Sequence, residues 1–236
     1  MNPTAAILLI GDEILSGRTK DSNGNHLAIQ LTAIGIDLKE IRVVSDDHAV
    51  IVNTLNALRA AYTHVFTSGG IGPTHDDITA DAVAAAYGVG ISVRDDARAI
   101  LATNYDDPAD LNEMRLRMAR IPVGASLIDN PISKAPGFSL GNVHVMAGVP
   151  TIFEAMVAGL LPTLSGGAPL LSISVRVERP EGAVAAALAE IATHFPSLSL
   201  GSYPFVAGNV FGTNIVARGT DRALLTAAEA EILTLR

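Results

Sequence analysis

Short apolar segments alternate with amphipathic segments through the first two thirds of the chain. Residues Ala5–Ile10 form a continuous apolar run, which is typical of a strand buried on both faces. Leu27, Leu31 and Ile34 follow at spacings of four and three residues, and they predict a helix that ends at Gly35. The same alternation predicts four further elements, which are strands at 37–45 and 64–67 and helices at 49–61 and 81–87. Because the links are short, this order predicts a mostly parallel sheet with helices on both faces.

The middle of the chain is predicted to be richer in helix. Two helices are expected at 95–104 and 111–119, and a closing helix is expected at 151–164. Two short strands are expected near 126–128 and 143–146. The segment Asn130–Phe138 between these strands contains two prolines and a glycine, so it is predicted to be a loop.

The pattern changes after a stretch of serine, glycine and proline at 165–169. Apolar residues alternate with polar ones at 171–177 and predict a half-buried strand, and Val184, Leu188, Ile191 and Phe195 form one helix face. Two short strands are expected near 199–205 and 211–217, followed by a helix with Leu224, Ala228 and Ile232 on one face. The predicted organisation is therefore an α/β domain at 1–165 and a small α+β domain at 170–236.

Composition narrows the class of partner. The chain has 236 residues, of which 49% are apolar, and a net charge of −8, which argues against nucleic acid as the partner. It has no cysteine, which excludes disulfides, thiolate zinc sites and cysteine nucleophiles. The N-terminal apolar run lacks a basic start, and no run reaches transmembrane length. A cytoplasmic protein with a small phosphorylated ligand and no membrane partner is expected.

The segment Thr67–Thr79, with the sequence TSGGIGPTHDDIT, lies between a predicted strand and a predicted helix. Glycines let backbone N–H groups approach a phosphate closely, and a helix N-terminus adds partial positive charge. The residues expected to bind a phosphorylated ligand here are Ser68, Gly69, Gly70, Gly72, Thr74 and Thr79. The alternative is that Asp77 or Thr79 only caps the helix that follows.

Acidic residues occur in two of the loops that follow predicted strands. Asp12 and Glu13 come after the first strand, and Asp76 and Asp77 lie in the glycine loop. Because the carboxyl ends of parallel strands share one edge of a sheet, the two pairs are expected to face one another. Carboxylates beside a phosphate require a cation, so all four are predicted to bind Mg²⁺ or a similar divalent metal, with K⁺ as a further cofactor. The alternative is that Asp12 caps a turn and Glu13 is solvated.

Four further polar residues are candidates for ligand contacts. Asn23 opens the first helix, where it is either an N-cap or a ligand contact. Lys134 lies in a loop rich in proline and glycine and can neutralise phosphate charge. Arg115 can pair with phosphate or form an ordinary salt bridge, and His75 is a weak candidate as an isolated histidine. The Walker, dinucleotide-binding, nucleophile-elbow and zincin motifs do not occur in the sequence.

These motifs together resemble one known family. GDEILSG at 11–17, DSN at 21–23 and the glycine loop resemble the competence/damage-inducible protein A (CinA) family. The N-terminal domain of that family belongs to the molybdopterin-binding MoaB/Mog-like superfamily. The resemblance covers residues 5–164 and includes the loop Lys134–Gly137, and the tail from about residue 170 resembles the small middle domain of longer members. It implies a three-layer α/β fold.

The resemblance also implies an activity. Family members are associated with metal-dependent hydrolysis of nucleotide pyrophosphates such as ADP-ribose, and a similar domain of FAD synthases with hydrolysis of FAD. By resemblance, Gly69, Gly70 and Gly72 cradle phosphate, and Asp12, Asp76 and Asp77 form the catalytic, metal-binding set. Molybdopterin is a further ligand, and a homo-oligomer of two or more subunits is expected. The alternatives are a non-catalytic binding module for molybdopterin or nucleotide, and a molybdopterin adenylyltransferase.

Two departures from the family pattern bear on ligand choice. Ala147 stands where relatives usually have proline before Gly-Val-Pro, and Thr151–Phe153 precedes Glu154 where relatives run more directly to Glu-Met. Both lie in the loop that is expected to shape ligand specificity.

Overall fold

The computed structural model describes residues 2–208 and 210–236, and the chain divides into two compact units between Gly167 and Ala168. The strands of the first unit are β1 (Thr4–Ile10), β2 (Asp37–Val44), β3 (His64–Ser68), β4 (Ile91–Val93), β5 (Arg120–Pro122), β6 (Ser126–Ile128), β7 (Gly137–Leu140) and β8 (Val143–Met146). Its helices are α1 (Asp12–Leu15), α2 (Asn23–Ala33), α3 (His48–Ala61), α4 (Thr79–Tyr87), α5 (Asp95–Ala102), α6 (Glu113–Leu116) and α7 (Pro150–Leu160). Short 3₁₀ turns occupy Pro108–Asp110, Arg117–Ala119 and Leu161–Thr163.

Six strands of the first unit form one sheet in the order β2-β1-β3-β8-β7-β6. The first four of these strands are parallel to one another, and β7 and β6 continue the sheet in antiparallel orientation. Ile10 of β1 pairs with Val44 of β2, and Ser68 of β3 pairs with Met146 of β8. The loops that follow β1, β2, β3 and β8 therefore leave the sheet at the same edge. The predicted fold class is confirmed.

Two hydrophobic clusters lie on opposite faces of this sheet. Alternate residues of β1 enter each cluster, as a strand buried on both faces requires. One cluster contains Ala6, Leu8 and Ile10 with buried residues of α3, α4 and α5. The other contains Ala5, Ile7 and Leu9 with buried residues of α2 and α7. The first unit thus has three layers, and the continuous apolar run of β1 is explained by its central position.

Two predictions for the middle of the chain are wrong. The helix predicted at 111–119 is instead a short helix, α6, between two 3₁₀ turns. Asn112 starts a new helix there, because its side chain accepts a hydrogen bond of 3.0 Å from the Arg115 N–H, and Met114 is 50% exposed instead of facing the core. The loop predicted at 130–138 contains the start of β7 at Gly137. A Cβ atom at Gly137 would lie 2.2 Å from the Val145 carbonyl oxygen, so this glycine permits close strand packing.

The second unit contains β9 (Leu171–Val177), α8 (Glu181–His194), β10 (Ser199–Ala207), β11 (Val210–Gly219) and α9 (Arg222–Leu233). Its three strands form an antiparallel sheet in the order β10-β11-β9, which confirms the predicted small α+β fold. One predicted core position is wrong. Leu224 is 37% exposed and Leu225 is buried instead. Among the helices that the structure describes in either unit, none has the length and apolar character needed to cross a membrane.

A histidine pair, of which His144 is buried and His64 half-buried, joins β3 to β8. His144 is 5% exposed, and its two ring nitrogens lie 3.2 Å from His64 Nδ1 and 2.8 Å from Ser139 Oγ. Burial, and secondarily the nearby charge of His64, lower the pKa of His144 from 6.5 to about 4. Burial also lowers the pKa of His64. Both imidazoles are therefore neutral in the folded protein near pH 7.

This pair predicts a loss of stability in weak acid. Between pH 6.5 and about 4 the unfolded chain binds a proton at His144 that the folded chain does not, so the free energy of unfolding falls as pH decreases through this window. The shift corresponds to roughly 3 kcal/mol when the window is crossed completely. Urea unfolding at several pH values is expected to show a shallower decline for His144→Gln than for wild type. Parallel declines would contradict the prediction, and exposed His48→Gln is the matched control.

Candidate functional site

Three loops meet at the carboxyl edge of the parallel strands. Gly69 follows β3 with a φ of +104°, and a Cβ atom on it would lie 2.3 Å from the Ile10 carbonyl oxygen at the end of β1. A Cβ atom on Gly148, which follows β8, would lie 3.1 Å from the Gly69 Cα atom. Backbone therefore packs directly against backbone here, which only glycine permits at Gly69.

Thr79 holds the glycine loop from behind. Its side chain is fully buried, and its hydroxyl donates a hydrogen bond of 2.9 Å to the Gly69 carbonyl oxygen. Its backbone N–H donates a second bond of 2.9 Å to the Gly70 carbonyl oxygen. Thr79, predicted to contact a ligand, is thus placed where it positions the loop, and its hydroxyl is already committed.

Asp77 and Thr74 shape the far end of the loop. The Asp77 carboxylate accepts a bond of 2.8 Å from the Thr74 N–H and a second bond from the Thr74 hydroxyl. It also lies over Gly72, where a Cβ atom would be 2.6 Å from Asp77 Oδ2. One carboxylate oxygen of Asp77 is therefore used inside the loop, although the residue also lines the cleft in front of it.

A cleft of about 420 Å³ opens in front of the glycine loop. The residues Gly69–Pro73 form one side, and Asn130, Ser133 and Ala135 contribute to its lining from the loop before β7. The carboxylate residues that line the cleft are Glu13, Asp46, Asp76 and Asp77. The structure thus brings Glu13, Asp76 and Asp77 to the same cleft as the glycine loop.

Asp46 is a further candidate site residue, and it was not predicted from the sequence. It follows β2, and its carboxylate accepts a 3.0 Å hydrogen bond from the Asp12 N–H. Burial raises the pKa of Asp46, and the nearby charges of Asp12, Glu13 and Asp76 raise it further, although the Asp12 N–H opposes the rise. The carboxylates of Asp12, Glu13 and Asp76 therefore lie within electrostatic reach of Asp46. This residue could have been predicted, because an acidic residue after β2 lies at the same edge of the sheet as the loops after β1 and β3.

The cleft offers the type of ligand atom that a hard cation prefers. Carboxylate oxygens are the ligands of Mg²⁺, and the mutual repulsion at Asp46 is the condition that a cation relieves. Within residues 2–208 and 210–236, no three side chains of His, Cys, Asp or Glu are grouped as a metal site. Mg²⁺ usually binds one or two carboxylates and completes its shell with water and substrate phosphate, so this set fits a metal that arrives with a diphosphate.

Arg117 lies behind the glycine loop and was also not predicted from the sequence. Its Nη2 donates a 3.1 Å bond to the Asp77 carbonyl oxygen, while its Nε is buried without a hydrogen-bond partner among the described residues. It lines a small crevice with Gly70 and Gly72. Arg120 lines the same crevice but is already paired with Asp81 through bonds of 2.8 and 2.6 Å. Arg117 therefore places positive charge under the loop.

The other predicted cations lie elsewhere. Arg115 pairs with Asp110 at 3.4 Å and stacks over the Tyr105 ring at 4.6 Å, so it serves local structure. Lys134 has a positive φ of 58° and no ion pair with any residue that the structure describes, and it does not line the cleft although both its sequence neighbours do. His75 is exposed beside Asp76 at 3.8 Å.

Asn23 links two of the three loops. It is the first residue of α2 and is 5% exposed. Its amide nitrogen donates bonds of 2.8 Å to Ser68 Oγ at the end of β3 and to the Gly148 carbonyl oxygen after β8. Ser68 and Asn23, both predicted ligand residues, therefore lie together at the base of the site.

Two family descriptions match the chain. Residues 6–166 match "Probable molybdopterin binding domain", and residues 169–235 match "FAD synthase, middle domain". A relative from Pyrobaculum calidifontis, named only "Protein", is 34% identical over 86% of this chain and 81% of its own length.

Two longer relatives carry functional names. A CinA-like protein from Frankia casuarinae is 32% identical over 97% of this chain, and a probable FAD synthase from Caenorhabditis briggsae is 28% identical over 90% of it. The chain spans 56% and 45% of these two proteins, respectively, or about half their length.

The fold has a counterpart among solved structures. The crystal structure of CinA from Thermoplasma acidophilum, titled as a protein of unknown function, superimposes with a TM-score of 0.64 and 33% identity. The match covers 68% of this chain and 97% of that one. With the glycine loop, the three-layer unit and the family match in agreement, the chain belongs to the molybdopterin-binding domain family, and its first unit is a CinA-type MoaB/Mog-like domain.

Proposed function

We propose that the cleft binds the diphosphate of a nucleotide or pterin and that, with a divalent metal, it hydrolyses nucleotide diphosphates such as ADP-ribose or FAD. The observation that carries this proposal is the convergence of the loop Gly69–Pro73 with the carboxylates of Glu13, Asp46 and Asp76 around one cleft. The backbone N–H groups of the loop can donate hydrogen bonds to the phosphate oxygens. The carboxylates can bind a cation that lies between them and the phosphate.

Each group in the cleft has a distinct chemical task in this proposal. A metal held by Glu13 and Asp76 would polarise the phosphate oxygens and neutralise their charge. Asp46 is not assigned to the metal; burial, the largest cause of its raised pKa, makes it a better proton acceptor than an ordinary aspartate, and it takes the proton of the attacking water. The water oxygen bonds to one phosphorus as the bridging P–O bond breaks, which releases two phosphate monoesters. The loop amides and Arg117 stabilise the charge that develops on the phosphate.

The relatives support the proposed substrate class. The match to a probable FAD synthase extends over 90% of this chain, and the second unit matches the middle domain of FAD synthases. FAD and ADP-ribose share an adenosine diphosphate group, so one diphosphate site can accept both. K⁺ is proposed as a further ion of the site, because it would offset the same carboxylate charge.

The chain is expected to release AMP from ADP-ribose or FAD in the presence of Mg²⁺ or Mn²⁺ and to lose this activity with EDTA. Chromatography of the nucleotide products over time measures the reaction. Addition of K⁺ and of each divalent metal in turn identifies the ions required. No AMP release with either substrate and any divalent metal would contradict hydrolysis.

A non-catalytic binding module for molybdopterin or nucleotide is the second candidate. It is favoured by the description of the matched family and by the lack of a preformed three-ligand group in the described part of the chain. Calorimetric binding of ADP-ribose or a pterin without turnover would establish this function. Transfer of AMP from ATP to molybdopterin, measured in a coupled assay, would instead establish an adenylyltransferase.

A further inference from the structure

A small cavity adjoins the main cleft at the start of α2. Its volume is about 50 Å³, and Asn23, Ser68, Gly148 and Glu13 are among the residues that line it. Glu13 and Gly148 also line the main cleft. A ligand bound in the cleft can therefore extend a small substituent into this cavity.

Asn23 has one polar atom whose hydrogen bonding is incomplete. Its amide nitrogen donates to Ser68 Oγ and to the Gly148 carbonyl oxygen. Because a carbonyl oxygen only accepts, the nitrogen must face Gly148, and the orientation of the amide is fixed. The remaining atom, Oδ1, is buried and accepts no hydrogen bond from any residue in the described ranges. A buried acceptor without a donor costs free energy, so a ligand that supplies a donor gains affinity.

Ser68 provides the complementary group. Its oxygen accepts the hydrogen bond from Asn23, which leaves its own O–H proton available to donate. Asn23 thus offers an acceptor and Ser68 a donor in the lining of one cavity, which matches a hydroxyl group, because a hydroxyl donates and accepts at once. A cavity of about 50 Å³ holds a group of this size, because about 10–15 Å³ measured in this way is enough for one water molecule.

The position of the cavity beside the cleft limits the distance between a hydroxyl bound in the cavity and phosphates bound in the cleft. Ser68 directly precedes the glycine loop, and the cavity shares three lining residues, Ile10, Glu13 and Gly148, with the cleft. In a nucleoside diphosphate the ribose is the hydroxyl-bearing group closest to the diphosphate. We propose that the cavity at Asn23 binds a hydroxyl of the ribose attached to the diphosphate, so that the site selects ribosyl over deoxyribosyl ligands. This inference rests on the proposed function, because it takes the cleft as the diphosphate site.

Calorimetric titration of the wild-type chain with ADP, 2′-deoxy-ADP and 3′-deoxy-ADP in Mg²⁺ tests the inference without any substitution. One of the two deoxy ligands is expected to bind about tenfold more weakly than ADP, or weaker still, because it leaves Asn23 Oδ1 without a donor. Equal affinity for all three would overturn the ribose inference and leave the diphosphate site standing. Failure of all three to bind would overturn the diphosphate site and the inference together.

Substitutions of cavity residues test whether the cavity causes the difference in affinity between ADP and the deoxy ligand. Asn23→Ala and Ser68→Ala are each expected to bring the affinity ratio of ADP to the discriminated deoxy ligand close to one. Exposed Asn25→Ala on the same helix is the matched control and is expected to keep the wild-type ratio. Thermal unfolding verifies that each variant is folded before titration. A wild-type ratio retained in folded Asn23→Ala and Ser68→Ala would overturn the assignment.

Discussion

Asp46→Asn is expected to reduce the turnover of ADP-ribose or FAD by about 100-fold or more, because it removes the proposed proton acceptor. The substitution keeps an oxygen that can accept the hydrogen bond from the Asp12 N–H. It also removes one charge from a group of carboxylates that repel one another. The free energy of unfolding at neutral pH is therefore expected to stay equal or to rise. Steady-state kinetics and urea unfolding of the same preparation measure both effects.

Asp47→Asn is the matched control for this experiment. Asp47 is the next residue, and its side chain caps α3 by accepting a 2.9 Å bond from the Val50 N–H. Asparagine caps helices about as well as aspartate, so both activity and stability are expected to stay close to wild type. Full turnover in Asp46→Asn, or an equal loss in Asp47→Asn, would remove the proposed catalytic role of Asp46.

Gly69→Ala is expected to lower the free energy of unfolding by roughly 3 kcal/mol or more and to abolish nucleotide binding. The new Cβ atom would lie 2.3 Å from a backbone carbonyl oxygen, that of Ile10, which cannot rotate away as a side chain can. The φ of +104° is also unfavourable for alanine. Relief of the contact would separate the loops that follow β1 and β3, so the cradle for phosphate would be lost. Urea unfolding and calorimetry with ADP measure the two consequences.

Gly159→Ala tests whether the effect is specific to the loop. Gly159 lies within helix α7, and a Cβ atom there would meet nothing within 4 Å. Alanine is the better helix former, so this variant is expected to gain about 0.5–1 kcal/mol and to bind nucleotide as wild type does. A Gly69→Ala protein as stable as wild type would contradict the close backbone packing described at this edge.

The sequence predicted the sheet edge well but the individual side chains less well. The apolar run of β1 and the glycine loop after β3 are local signals, and the rule for parallel strands places both at one edge. Asp46 was not predicted as a site residue because the pair Asp46-Asp47 precedes a helix. An acidic residue at such a position is expected to cap the helix, and Asp47 is in fact that cap. Asp46 differs from Asp47 by a tertiary contact, because its carboxylate accepts a hydrogen bond from the Asp12 N–H.

Arg117 and Thr79 show a second limit. Arg117 belongs to a 3₁₀ turn inside a segment predicted to be one helix, so its direction did not follow from helical periodicity. Thr79 was expected to contact a ligand as part of the glycine loop, with capping of the following helix as the alternative. Whether a hydroxyl faces a cleft or its own backbone depends on the path of the loop, and here it donates to the Gly69 carbonyl oxygen. The periodicity of apolar residues indicates which face of an element is buried. It does not indicate the direction in which a single polar side chain points.

The close contact of main chain with main chain among the three loops has an evolutionary consequence. Ala147, Val149 and Ile152 line the cleft after β8 without forming part of the contact between Gly69 and Gly148. Mutations at these three positions can therefore reshape the rim while the glycine framework, which is the proposed anion site, persists. Descendants of one ancestral scaffold can diverge in ligand preference by drift at such rim positions, and each new preference inherits the same geometry for its charged group.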